Sequence, residues 1–138
     1  MKQAALRTAC LIGATLALAA VVVFAGAQPG ARKIDFDRDV RRILSENCFA
    51  CHGFDPNTRA AGLRLDTREG AFSKRPNGNR TIVPGKPMES ELFRQVISRA
   101  MPPANFNKKL TSAQIETLRL WIIQGAEYRP HWAFVPPV

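Results

Sequence analysis

Apolar residues fall at Phe36, Val40, Ile43 and Leu44, the i, i+4, i+7, i+8 spacing of a helix with one buried face. Asp35 or Asp37 can cap its start, acidic side chains in the first turn suit the helix dipole, and Arg38, Arg41 and Arg42 are expected to face outward. This helix runs straight into Cys48. A second helix is predicted from Pro87, where proline suits the first helical position. Its stripe is Leu92, Phe93, Val96 and Ile97, ending near Arg99 before Pro102-Pro103. The third has the clearest limits: Thr111-Ser112-Ala113-Gln114 reads as a capping box, Ile115, Leu118, Trp121 and Ile122 as the buried face, and Gly125 as the stop.

The intervening sequence reads as loop. Gly53–Gly62 includes the Asp55-Pro56-Asn57 turn, and Lys74–Gly85 is rich in Pro, Gly and Asn. Ala60–Thr67 alternates briefly but is too short to argue a sheet, and Thr67–Ser73 suits a single helical turn. Glu127–Val138, with Pro130, Pro136 and Pro137, is expected to be extended. The fold class expected is all-α, with about three main helices and long loops, and no internal repeat is visible. At 138 residues there is room for one core.

The first 27 residues stand apart. Lys2 and Arg7 precede an apolar run from Leu11 to Phe24, and Ala25-Gly26-Ala27 has the small-residue pattern of a cleavage site. The expectation is a signal peptide at 1–27, a flexible lead-in at 28–33, a folded domain at 34–126 and a tail or linker at 127–138. Export to a periplasmic or other extracytoplasmic space follows, with membrane association only if the signal stays uncleaved as an anchor. Cys10 does not suit a lipoprotein, because it precedes the apolar run instead of ending it.

Charge adds one constraint. The chain carries 20 Lys+Arg against 11 Asp+Glu, net +9, and cleavage removes only Lys2 and Arg7 from that count. A cationic surface suits docking onto acidic protein partners, with a generally basic, soluble surface as the plain alternative. Nucleic acid is not expected, since no binding motif accompanies the charge.

With Cys10 gone, the remaining cysteines are Cys48 and Cys51, in the string Cys48-Phe49-Ala50-Cys51-His52. C-x-x-C-H is the attachment pattern for haem c: two thiols one turn apart reach two vinyl groups on one edge of the macrocycle, and the following imidazole is carried under the ring to the iron. A redox dithiol wants a βαβ context, a structural zinc wants four ligands, and a plain disulfide leaves His52 unexplained. The sixth ligand is expected to be Met101. It stands in the stiff Met101-Pro102-Pro103 loop, far enough along the chain from His52 to reach the other haem face. Met88, in a predicted first helical turn, is expected to fill core instead. His131, in the proline-rich tail, is the alternative second ligand. Phe36, Phe49 and Phe93 are expected to line the pocket or the core. Trp121 is expected to pack the last helix on the first in preference to bonding a haem propionate. Arg59, Arg64 and Arg68 follow the motif and could neutralise haem propionates, but each is expected to be a solvated surface charge.

Six stretches carry a family resemblance: IDFDRDVRRILSENCFACHG, AGLRLDTREGAF, IVPGKPMESELF, MPP, LTSAQIETLRLWIIQGAEY and PHWAF. Together they resemble the planctomycete-type cytochrome c domain. C-x-x-C-H and M-P-P are generic to cytochromes; GLRLDT and the WI..GAEY…HWAF ending are more specific. The resemblance implies a small all-α, cytochrome c-like haem domain with Cys48 and Cys51 as attachment points and His52 as an axial ligand, and it agrees with Met101 opposite. In that family the haem domain commonly opens a longer secreted protein, so an N-terminal haem fragment of a larger enzyme, with downstream domains as partners, stands beside a free cytochrome. The function expected is one-electron transfer by a single covalent haem, without catalytic residues; a haem-based sensor or docking module is the alternative.

Overall fold

The computed structural model describes residues 32–130. The expected signal, most of the lead-in, His131 and the HWAF ending lie outside the described residues. The described part is helical: α1 (Arg41–Asn47), α2 (Phe49–His52), α3 (Arg68–Ala71), α4 (Glu91–Ile97) and α5 (Ser112–Ile123). A π-helical turn, Phe36–Val40, leads into α1, and short 3-10 turns occur at Ala60–Gly62 and Pro87–Glu89. Among the described residues there is no strand, only the isolated bridges Lys74–Arg80 and Arg80–Ser90. No helix there is long and apolar enough to cross a membrane.

The predicted first helix forms, in two pieces. The Asp35 carboxylate accepts from the Arg38 backbone N–H at 3.0 Å, while the Asp35 N–H donates to Asp39 at 2.9 Å, so the helix start is satisfied reciprocally. Phe36, Val40, Ile43 and Leu44 are all buried, as their spacing predicts. Arg41 departs from expectation. Its guanidinium lies 4.7 Å from the centre of the Phe36 ring and donates to the Arg129 carbonyl at 2.6 Å, so it covers the core's edge instead of facing water.

The helix α5 is as the sequence predicts at both ends. Thr111 and Gln114 exchange capping bonds, at 3.2 Å and 2.9 Å. At the far end Gly125, at φ +100°, lets its own N–H reach Ile122 and that of Ala126 reach Trp121, the paired bonds of a Schellman stop. Leu118, Trp121 and Ile122 are buried, and Ile115 packs at the core's margin. α5 packs against the π turn Phe36–Val40 and against α4. The Trp121 indole donates to the Glu127 carbonyl at 2.9 Å, and its ring lies 5.7 Å from that of Phe36, which is the core role expected for it.

α4 is shorter than its predicted span, because Pro87–Glu89 is a separate 3-10 turn that breaks at Ser90. Ser90 is wholly buried: its hydroxyl accepts from the Val83 N–H at 2.9 Å and donates to the Lys86 carbonyl at 2.9 Å. Two expectations for this region fail. Ile97 is exposed, because the stripe turns outward in the last turn; Met88 is exposed too, since a 3-10 turn lays it on the surface instead of in the core.

Candidate haem site

α1 and α2 meet at Cys48, whose φ of −126° and ψ of −40° interrupt the helix. The Cys48 N–H still donates to Leu44, and the Cys51 and His52 N–H groups both donate back to the Cys48 carbonyl, at 3.1 and 2.8 Å. One short turn therefore carries both thiols and the imidazole. Gly53 closes it: a Cβ there would sit 2.3 Å from the Phe49 carbonyl oxygen, so no other residue fits behind His52 without backbone movement. The Leu65 N–H then donates to the His52 carbonyl at 2.7 Å, tying the next loop to the turn.

Met101 arrives from the other side of the sequence. α4 ends at Ile97, Arg99 beyond it is held at φ +60° where glycine is the relaxed residue, and the Met101 N–H folds back onto the Gln95 carbonyl at 3.0 Å. The loop beyond it is pinned to α1 where Lys108 Nζ donates to the Glu46 carbonyl at 2.9 Å.

Cys48, Cys51, His52 and Met101 line one cavity of about 110 Å³, together with Val96, Pro102, Pro103, Phe106 and Leu110. A second cavity, about 260 Å³, shares Cys48, His52, Val96 and Met101 with it and is lined as well by Leu63, Leu65, Leu92, Arg75 and Asn77. Sharing those four residues, the two cavities adjoin along a largely apolar slot. The four residues singled out from the sequence thus come together, although Met101 is separated from the others by two helices and several loops. Phe106 and Val96 are pocket residues that the sequence reading missed; a lone aromatic in the polar Asn105–Lys109 loop was the available signal. Phe36 and Phe93 are core. Phe49 packs beside the core and lines a different groove, with Phe54 and Tyr128.

The electrostatics suit a neutral, ligating imidazole. His52 Nδ1 is buried and has no hydrogen-bond partner. Burial pulls the His52 pKa below its ordinary value, with the Ala60 backbone opposing and the Arg75 charge adding to the fall. Burial also pushes the Cys48 thiol up to about 12, with Cys51 contributing. That is the reverse of an activated redox thiol, which needs a lowered pKa. Both cysteines are free. Among the described residues no group of three or more His, Cys, Asp or Glu is placed to hold a metal ion, so a zinc site has no support there.

These residues fit a haem: two thiols at attachment spacing, an imidazole kept neutral, a thioether in the same apolar slot, and no competing charge cluster. Arg59, Arg64 and Arg68, weighed as propionate partners, are engaged elsewhere: Arg59 with the Gly53 carbonyl, Arg64 with Asp66, and Arg68 over the Phe72 ring. Residues 48–105 match the family model described as planctomycete cytochrome C. No curated protein and no solved structure matches the chain.

Proposed function

We propose that this chain, which carries a planctomycete-type cytochrome c domain, is an exported electron-transfer protein that holds one haem through Cys48 and Cys51 and ligates its iron with His52 and Met101. The observation that carries this reading is the convergence of all four side chains on one apolar slot. Bound there, the haem supplies a one-electron ferric/ferrous couple. The chain's own contribution is rigidity and dryness: Met101 is fixed between the end of α4 and two prolines, and Val96, Phe106 and Leu110 keep water from the ring. Excluding water disfavours the more charged ferric state and raises the potential. The family supports haem binding and electron transfer in general; the single haem and the particular ligands are this reading's own.

Export rests on the signal pattern of residues 1–27. For partners, the reading takes acidic redox proteins docking at the Met101 edge. Ile97 and Met101 are exposed there, and the adjoining cavity of about 160 Å³ is lined by Arg99 and Lys109 and by no carboxylate.

The test is spectroscopic. Protein purified from a host able to mature c-type cytochromes should keep its pigment through denaturation and acid–solvent extraction, and its ferric form should show the weak red-end band of sulfur-to-iron charge transfer. Met101→Ala should abolish that band while leaving the pigment attached. Extractable pigment sinks covalent attachment. A high-spin wild type lacking the band sinks Met101 ligation and favours a sensor with an open iron position.

A further inference from the structure

Part of the slot's lining is polar. Besides Leu63, Leu65 and Leu92 it includes Arg75 and Asn77, which belong to a tight turn in the loop between α3 and α4. The turn is strongly specified. The Arg75 N–H donates to the Asn79 carbonyl at 2.7 Å, Gly78 sits at φ +85° with its N–H on the Arg75 carbonyl at 2.9 Å, and Asn77 Oδ1 accepts from the Asn79 N–H at 3.0 Å. With Asn77's oxygen so engaged, its amide nitrogen is the group left to donate.

Arg75 is half-buried, and among the described residues it pairs with no carboxylate. Among the described residues its side chain bonds the Ala61 carbonyl, at 2.6 Å, on a residue held at φ +52°. A guanidinium has five N–H donors, and sheltering it from water without an anion is costly. Glu91 lines the same cavity but is not that anion. Its carboxylate is taken up by Arg94, Gln95 and Asn79. A cation and an exposed amide donor therefore line the same cavity as Cys48 and His52.

We propose that Arg75 and Asn77 form the anion seat for a carboxylate of the bound haem, its propionate. This rests on the haem-binding reading above and adds the residues that orient the ring and set the ionisation of that carboxylate. A guanidinium beside a carboxylate favours its ionised form and lowers its pKa.

The experiment measures midpoint potential against pH on the purified haem-loaded protein and two variants. Arg75→Leu removes the cation. Asn77→Asp preserves the oxygen that caps Asn79 and the backbone turn, and places a negative charge in the seat, so it stays informative should Arg75→Leu fail to fold. Each should move the propionate-linked step in potential up by about one pH unit or more, or bring one into the range of about pH 5 to 9. Arg75→Lys, which keeps the charge, should return most of the shift, as mere loss of packing would not. A pH profile the same in wild type and Asn77→Asp, with the red-end band intact, overturns this inference and leaves the cytochrome reading standing. A chain that attaches no haem overturns the cytochrome reading itself.

Discussion

Single residues decide this structure where they have no substitute. Gly53 shows it next to the haem motif, since any side chain there would collide with the Phe49 carbonyl. Tyr128 shows it within the core. Its ring lies 4.1 Å from that of Phe36, and its hydroxyl donates to the Leu65 carbonyl at 2.9 Å. Leu65 in turn bonds His52, so one phenol braces the loop that backs the imidazole. Burial pushes the Tyr128 pKa up to about 12, which keeps the proton in place to donate throughout the physiological range. Tyr128→Phe should cost about 1 kcal/mol, and Tyr128→Ala ~3 kcal/mol or more, read as midpoints of denaturant unfolding. An unfolding midpoint unchanged in Tyr128→Phe would show that the hydroxyl contributes nothing. Neither Gly53 nor Tyr128 announces its role in the sequence, because the role is a contact with a residue distant in chain or hidden in backbone geometry.

Elements are governed by their ends. The predicted N-caps at Asp35 and Thr111 hold because capping is local: an oxygen reaches a backbone N–H two or three residues on, whatever the rest of the fold does. Thr111→Ala should cost about 1 kcal/mol and Thr111→Ser nearly nothing, by thermal unfolding. Ser90 was less legible. The run from Pro87 to Ile97 reads as one helix, yet Ser90 separates a 3-10 turn from α4, and its buried hydroxyl serves the Val83 backbone across the loop. Ser90→Ala leaves the Val83 N–H without its acceptor and should destabilise by roughly 1–3 kcal/mol. An unchanged unfolding midpoint would mean that the loop finds another partner at no cost. The same break explains why Met88 stands on the surface.

At the scale of the whole molecule, the excess of positive charge acquires a place. No acidic residue occurs between Glu91 and Glu116, while Arg94, Arg99, Lys108 and Lys109 do, and this stretch carries Met101. Reduction by an acidic redox protein should therefore slow as salt rises, and replacing Arg99 and Lys109 with Gln together should flatten that dependence. Rates indifferent to ionic strength would remove the docking proposal. The sequence by itself determined what local chemistry can dictate: the buried faces of the first and last helices, their caps, the Gly125 stop, and the Cys48, Cys51, His52 string, all set within a few residues of chain. The sequence also pointed to Met101 over Met88 as the ligand. Only the tertiary structure placed Phe106 in the wall, put Arg41 over Phe36, laid Met88 on the surface, and left Arg75 beside the slot with no acidic partner among the described residues. Those outcomes depend on which distant segments share the space around one short turn, and spacing along the chain carries no record of that.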